Sequence, residues 1–227
     1  MRAGGIVIVA ALLGCAPTDT GNPPAALDPG DLSANVMSGI VQFSFDIAGV
    51  PGAVDPPEGE VWILPLDHVL PVTRVQVEPD GSFARTGLVA RDGGRIRFWI
   101  EAPTGRSAPL DRIVTMEGLT EPSSALDDCV RLEPPHAIEL AASGHASLRI
   151  ENTCGEAIRI APIALRDPEG PFEVITDTSG TLDQGASETI ELSLRTSDGA
   201  LQVDALDVEM IAPRTGRRGV TLIANAR

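Results

Sequence analysis

The chain has 227 residues, long enough after loss of a short leader for two domains of about 100 residues each. Hydrophobic residues make up 43% and charged residues 22%, a balance that buries a core and excludes a disordered protein. Every one of the 17 basic residues is arginine, and 32 acidic residues give a net charge of -15, which repels phosphate backbones and excludes nucleic-acid binding.

The chain opens with Arg2, an apolar run from Ile6 to Leu13, and Leu12-Leu13-Gly14-Cys15. One basic residue, a short apolar stretch and a small residue before a cut describe a secretory signal peptide over residues 1–14. The run is far short of the roughly 20 residues that cross a bilayer. Leu-Leu-Gly-Cys resembles the lipobox of bacterial lipoproteins. The resemblance implies cleavage before Cys15, a diacylglycerol on its sulfur, an acyl chain on its new amino group, and hence the lipid bilayer as a partner. Ala16 in place of aspartate implies sorting to an outer membrane. Residues 15–35 carry Pro17, Gly21, Pro23, Pro24, Pro29 and Gly30 and are expected to form an extended tether.

A first domain is expected over residues 36–117. In Val41-Gln42-Phe43-Ser44-Phe45-Asp46-Ile47 apolar residues alternate with polar ones, the period of a half-buried strand. Further strands are predicted at Glu60–Leu66, Val72–Val77, Phe83–Leu88, Arg95–Glu101 and Arg112–Met116. Pro79-Asp80-Gly81-Ser82 predicts a hairpin turn. Gly39-Ile40-Val41, Gly52-Ala53-Val54, Glu60-Val61-Trp62-Ile63-Leu64, the Pro79 turn and Gly94–Glu101 together resemble the carboxypeptidase regulatory-like, or prealbumin-like, β-sandwich. That resemblance implies a non-catalytic module of about seven strands.

Residues 118–126 read as a linker and 127–227 as a second domain. Strands are predicted at Ala137–Leu140, Ala146–Asn152, Ala157–Ala164, Phe172–Thr176, Thr189–Thr196, Ala205–Ile211 and Gly219–Ala224, a spacing that predicts an immunoglobulin-like sandwich. The fold class expected for the whole chain is therefore all-β, two consecutive sandwiches. If lipidation consumes Cys15, Cys129 and Cys154 remain as an even pair in an oxidising compartment. They are predicted to pair as a disulfide, closing a loop whose entropy is about 3 kcal/mol, and the alternative is two buried thiols. Cys129-Val130-Arg131-Leu132, the strand ending Glu151-Asn152-Thr153-Cys154, and Leu182-Asp183-Gln184-Gly185-Ala186-Ser187 resemble the ASH-like or choice-of-anchor immunoglobulin-fold modules of bacterial surface proteins.

Chemistry-bearing motifs are sparse. The chain has no Gly-x-Ser-x-Gly elbow, and the lack of lysine removes P-loop, Schiff-base and Ser-x-x-Lys sites. His68, His136 and His145 lack zinc-helix spacing and are expected at the solvated surface. Asp55–Glu60 and Asp127-Asp128 offer oxygen ligands without a calcium-loop pattern. Trp62 and Trp99 are expected in the core, and Arg214 with Arg217-Arg218 in a solvated turn. The function expected is a non-enzymatic, cofactor-free envelope lipoprotein that contacts another envelope protein. The alternative is a calcium- or carbohydrate-dependent adhesin.

Overall fold

The computed structural model describes residues 22–37, 43–123, 125–140, 144–176, 180–195 and 200–224. The leader, Cys15 and the start of the expected tether lie outside them, as do Val41 and Gln42 of the first predicted strand. A 3-10 turn at Pro29–Asp31 precedes β1 (Leu32–Met37), β2 (Phe43–Gly49), β3 (Glu60–Pro65), β4 (Thr73–Gln76), β5 (Phe83–Ala90), β6 (Gly94–Ala102), β7 (Gly105–Arg106), β8 (Leu110–Thr115) and β9 (Gly118–Thr120). The second half contributes β10 (Val130–Glu133), β11 (Ala137–Leu140), β12 (His145–Asn152), β13 (Ile158–Ile160), β14 (Ala164–Leu165) and β15 (Phe172–Val174). It ends with β16 (Gly180–Leu182), β17 (Ser187–Leu194), β18 (Gln202–Ala212) and β19 (Gly216–Ala224).

Four sheets result. Sheet I has the order β1-β2-β5 and sheet II the order β4-β3-β6-β8-β9, with β7 paired to β6. Sheet III has the order β11-β19-β18-β13-β16, with β14 paired to β18, and sheet IV the order β10-β12-β17-β15. Sheets I and II close on Phe45, Ile47, Ile63, Phe83, Ile96, Phe98 and Ile100. Sheets III and IV close on Leu148, Ile150, Ile190, Leu192, Leu206, Val208, Val220 and Leu222. The chain is thus all-β, with two consecutive immunoglobulin-like sandwiches, and alternation places the cores: in β12, Leu148 and Ile150 are buried while Ser147 and Arg149 are exposed.

Local chemistry moves several boundaries. The first sandwich begins before residue 36, because Leu27 is 3% exposed within its core and β1 pairs antiparallel with β2. Asp28 Oδ1 accepts from Gly30 N at 2.7 Å and caps the turn that directs β1 into the sheet. The expected tether is therefore shortened to residues before the docked segment. The expected linker is shortened as well: β9 pairs with β8, and Leu126 is buried in the second core. The stretch Ala157–Ala164 divides into β13 and β14 around Pro162, which has no N–H for a ladder.

The Pro79 turn closes on itself as predicted, Gly81 N donating to Glu78 O and Glu78 N to Ser82 O at 2.8 Å each, but its arms do not stay paired: it carries the chain from β4 in sheet II to β5 in sheet I. Its carbonyls also bond sideways, Asp80 O accepting from Gly52 N at 2.7 Å and Gly81 O from Val54 N at 3.0 Å. A Cβ on Gly81, whose φ is +81°, would lie 2.6 Å from Val54 O, so this close approach needs glycine.

Candidate functional site

The most organised set of polar side chains lies where sheet II meets sheet III. Alternation along β3 sends Val61 and Ile63 into the first core, so Trp62 and Leu64 emerge on the opposite face. Along β6, Ile96, Phe98 and Ile100 point inward and Arg95, Arg97 and Trp99 outward. Because Trp62 pairs with Trp99 and Leu64 with Arg97 across the ladder, this outward face divides into an apolar end and an ionic end.

At the apolar end Trp62, Leu64, Leu66 and Trp99 pack with Ala205 of β18, flanked by Val72, Leu201 and Val203. The indole centroids are 5.6 Å apart and tilted by 46°. Arg74 stacks over Trp62 at 4.4 Å, and each indole N–H donates to a carboxylate two residues away, Trp62 to Glu60 and Trp99 to Glu101. Both tryptophans are buried as expected, but the second sandwich covers them.

At the ionic end Arg97, 0% exposed, spends all five N–H donors. Nε and Nη2 bind the two oxygens of Asp111 at 2.7 Å each. Nη1 donates to His136 O at 3.1 Å and Thr221 Oγ1 at 3.0 Å, and Nη2 also donates to Gly219 O at 2.6 Å. Three of those acceptors belong to the second sandwich. Gly219 permits the approach, since a Cβ there would stand 3.2 Å from the Leu66 methyls. Arg95 grips Asp67 of its own sandwich at 2.7 Å and Asp207 of the other at 2.9 Å. Arg166 returns the clamp from the second sandwich, binding Asp204 at 2.8 Å and donating to His68 O at 3.0 Å and Leu70 O at 2.6 Å.

This arrangement displaces the titrations around it. Burial raises the Asp67 pKa, but hydrogen bonds from Arg95 and the charges of Arg95 and Arg217 outweigh it and hold the carboxyl below its ordinary range. Burial dominates at Asp204 and pushes its carboxyl upward despite Arg166. Burial, followed by the charges of Arg218 and Arg97, pushes His136 down, and its Nδ1 lies 3.0 Å from Arg218 Nη2. At one end of the seam a cleft of about 420 Å³ is lined by Asp67, His68, Arg91, Arg166, Asp207 and Arg217. His68 Nε2 is enclosed there without a hydrogen-bond partner among the described residues.

The other expected residues fall as follows. Arg214 sits in an exposed turn as expected, but Arg217 and Arg218 lie in β19, where adjacent side chains point to opposite faces: Arg217, exposed, pairs with Asp207 of β18, and Arg218, half-buried, with Asp127 before β10. His68 and His136 are half-buried at the seam instead of solvated, while His145 is exposed. Cys129 and Cys154 are joined as a disulfide with a Cα separation of 4.4 Å, between the start of β10 and the turn after β12. Asp128 faces Arg214 at 3.5 Å, and no cluster of three or more metal-ligating side chains occurs among the described residues. Cys15 lies outside the described residues. The arginine clamps were missed by the sequence reading. Their signal was a β6 strand whose outward positions, Arg95, Arg97 and Trp99, alternate with an apolar inward set.

No family model matches the chain, and no curated protein matches it. Among solved structures it is similar to the ASH/PapD-like domain 7 of human CEP192, with 15% identity, 43% of this chain and 84% of that chain covered, and a TM-score of 0.35. It is also similar to the Pseudomonas aeruginosa CupB2 chaperone, with 15% identity, 40% and 54% covered, and a TM-score of 0.35. A third similarity, to the Vibrio cholerae VesB protease, has 9% identity over 86% of this chain and 95% of that chain, with a TM-score of 0.36. The sandwich assignment rests on sheet order and register.

Proposed function

We propose that this chain is a non-enzymatic, lipid-anchored protein of the cell envelope whose two sandwiches act as one rigid contact body. The observation that carries the reading is the seam. A hinge between domains leaves a small, wet interface, whereas here sheet II is covered on both faces and three arginines cross-link it to sheet III and the loop beside it. Such a body transmits position instead of performing a domain-closure cycle.

The lipobox Leu12-Leu13-Gly14-Cys15 supports the anchor, and acyl chains on that sulfur and amino group suffice for stable membrane attachment. Because Pro24 is buried, the chain from Cys15 to the docked segment spans at most about 32 Å, so the body stands close to the bilayer. Outer-membrane placement follows from Ala16 under the same reading.

Expression of the full chain in a lipoprotein-processing host tests the anchor. Wild type is expected to incorporate labelled palmitate and enter the detergent phase, and Cys15→Ser to lose both. An unchanged detergent-phase fraction in Cys15→Ser overturns the reading.

A further inference from the structure

Edge strands offer unpaired N–H and C=O groups, and the described edges of this molecule are guarded except at one strand. β4 carries Arg74, β10 carries Arg131 and Glu133, β11 carries Glu139, and β15 carries Glu173. β7 and β14 are only two residues long, β9 and β16 are three residues long with a glycine each, and β5 is broken by Arg85, Gly87 and a register shift opposite Phe45–Ile47. β1, six residues of Leu-Ser-Ala-Asn-Val-Met, has no charge, glycine or proline.

The open side of β1 can be assigned. Val50 N donates to Asp31 O, which continues the β1–β2 register and sets its phase: Ser33, Asn35 and Met37 bond inward to β2. Ala34 and Val36 therefore turn N–H and C=O to the free edge, while Leu32 N–H is already spent on Pro29 O. β9 passes within 8 Å of β1 without pairing to it, and residues of both strands line a groove of about 680 Å³ beside this edge. Glu117 and Glu121 line its far rim, Glu121 standing 3.9 Å from Arg112, which is 7% exposed on the groove wall, and Asp28 and Asp31 lie in the turn that leads into its near end.

We propose that the free edge of β1 and this acidic groove bind an extended, basic strand of a partner protein by adding it to sheet I. The inference deepens the contact role proposed above and rests on it. Backbone pairing supplies the affinity and the rim carboxylates select arginine or lysine. A second copy of the chain is disfavoured as occupant, since two bodies of charge -15 would meet acidic rim to acidic rim.

The test uses the full chain in detergent, acylated or not, so that its failure is separable from failure of the anchor. The probe is a fluorescent heptapeptide alternating valine and threonine with arginine at both ends, beside one with N-methylated valines and one with glutamate ends. Anisotropy is expected to show binding of the first alone. Ala34→Pro, which removes a free-edge N–H and leaves the β2 ladder intact, should weaken it about tenfold. The surface pair Glu117→Arg with Glu121→Arg should weaken it about fivefold at low salt. No binding at roughly millimolar peptide, equal binding of the three peptides, or an affinity unmoved by both variants overturns the proposal. So does concentration-dependent dimerisation of wild type that Ala34→Pro abolishes, which would make a second copy the occupant.

Discussion

Sheet II buries both of its faces by different means. Toward sheet I, Val61, Ile63, Ile96, Phe98 and Ile100 form an apolar layer in which each side chain contributes by area removed from water, about 1.5–3 kcal/mol apiece. Toward sheet III, two tryptophans and two arginines of the same strands meet a partner surface that must supply particular acceptors at particular positions. The first face would tolerate another apolar set of similar volume; the second would not. Buried ion pairs contribute little net stability against an apolar substitute, so we assign the clamps to register: they fix which way one sandwich sits on the other.

Breaking the seam separates these roles most sharply. Arg97→Ala takes the guanidinium donors from the Asp111 carboxylate, the Gly219 carbonyl and the Thr221 hydroxyl and leaves His136 O only its bond from Thr221 N, and is expected to cost about 3–5 kcal/mol in chemical denaturation. It should also split one unfolding transition into two as the sandwiches uncouple, and Arg97→Lys should not rescue it, because an ammonium lacks the five-donor fork. A single transition retained in Arg97→Ala would show that the seam does not couple the sandwiches.

On the opposite face, Ile63→Val removes one methylene-sized group from a fully buried site and is expected to cost about 0.5–1.5 kcal/mol. Differential scanning should show one transition at lower temperature. Two transitions would overturn the assignment of the coupling to the seam.

The smallest effect belongs to pH. His136 lies among Arg97, Arg218, Asp111 and Asp127 with its pKa below the ordinary histidine value, so the unfolded chain takes up the proton first. Stability contributed by this group is present above the unfolded pKa and is lost as pH falls through the folded one. The unfolding midpoint of wild type should therefore drop more than that of His136→Gln between about pH 7.5 and about pH 5.5. Parallel profiles would remove His136 from the coupling.

Much of the architecture was legible along the chain because a half-buried strand writes its own period. Ser147–Asn152 and Thr189–Leu194 alternate in sequence, and the structure places them as adjacent central strands, β12 and β17. β1 escaped notice because Leu32, Ala34 and Val36 stand among Pro29, Gly30 and Asp31, and the local composition argues for an extended tether. β9 escaped because three residues show no period. The seam residues were visible only as types. Nothing in the order of the chain sets Arg95 opposite Asp207, 112 positions away, or Arg97 against Gly219.

Composition and alternation by themselves determined that the chain is all-β, that two cores exist and which side chains fill them, because burial of apolar surface depends on local periodicity. Only the tertiary structure decided that the outward face of β6 is interior, which acceptors its arginines meet, and that β1 pairs on one side alone among the described residues. Those outcomes depend on directional groups brought together across long sequence separations, where each donor needs one acceptor at one distance.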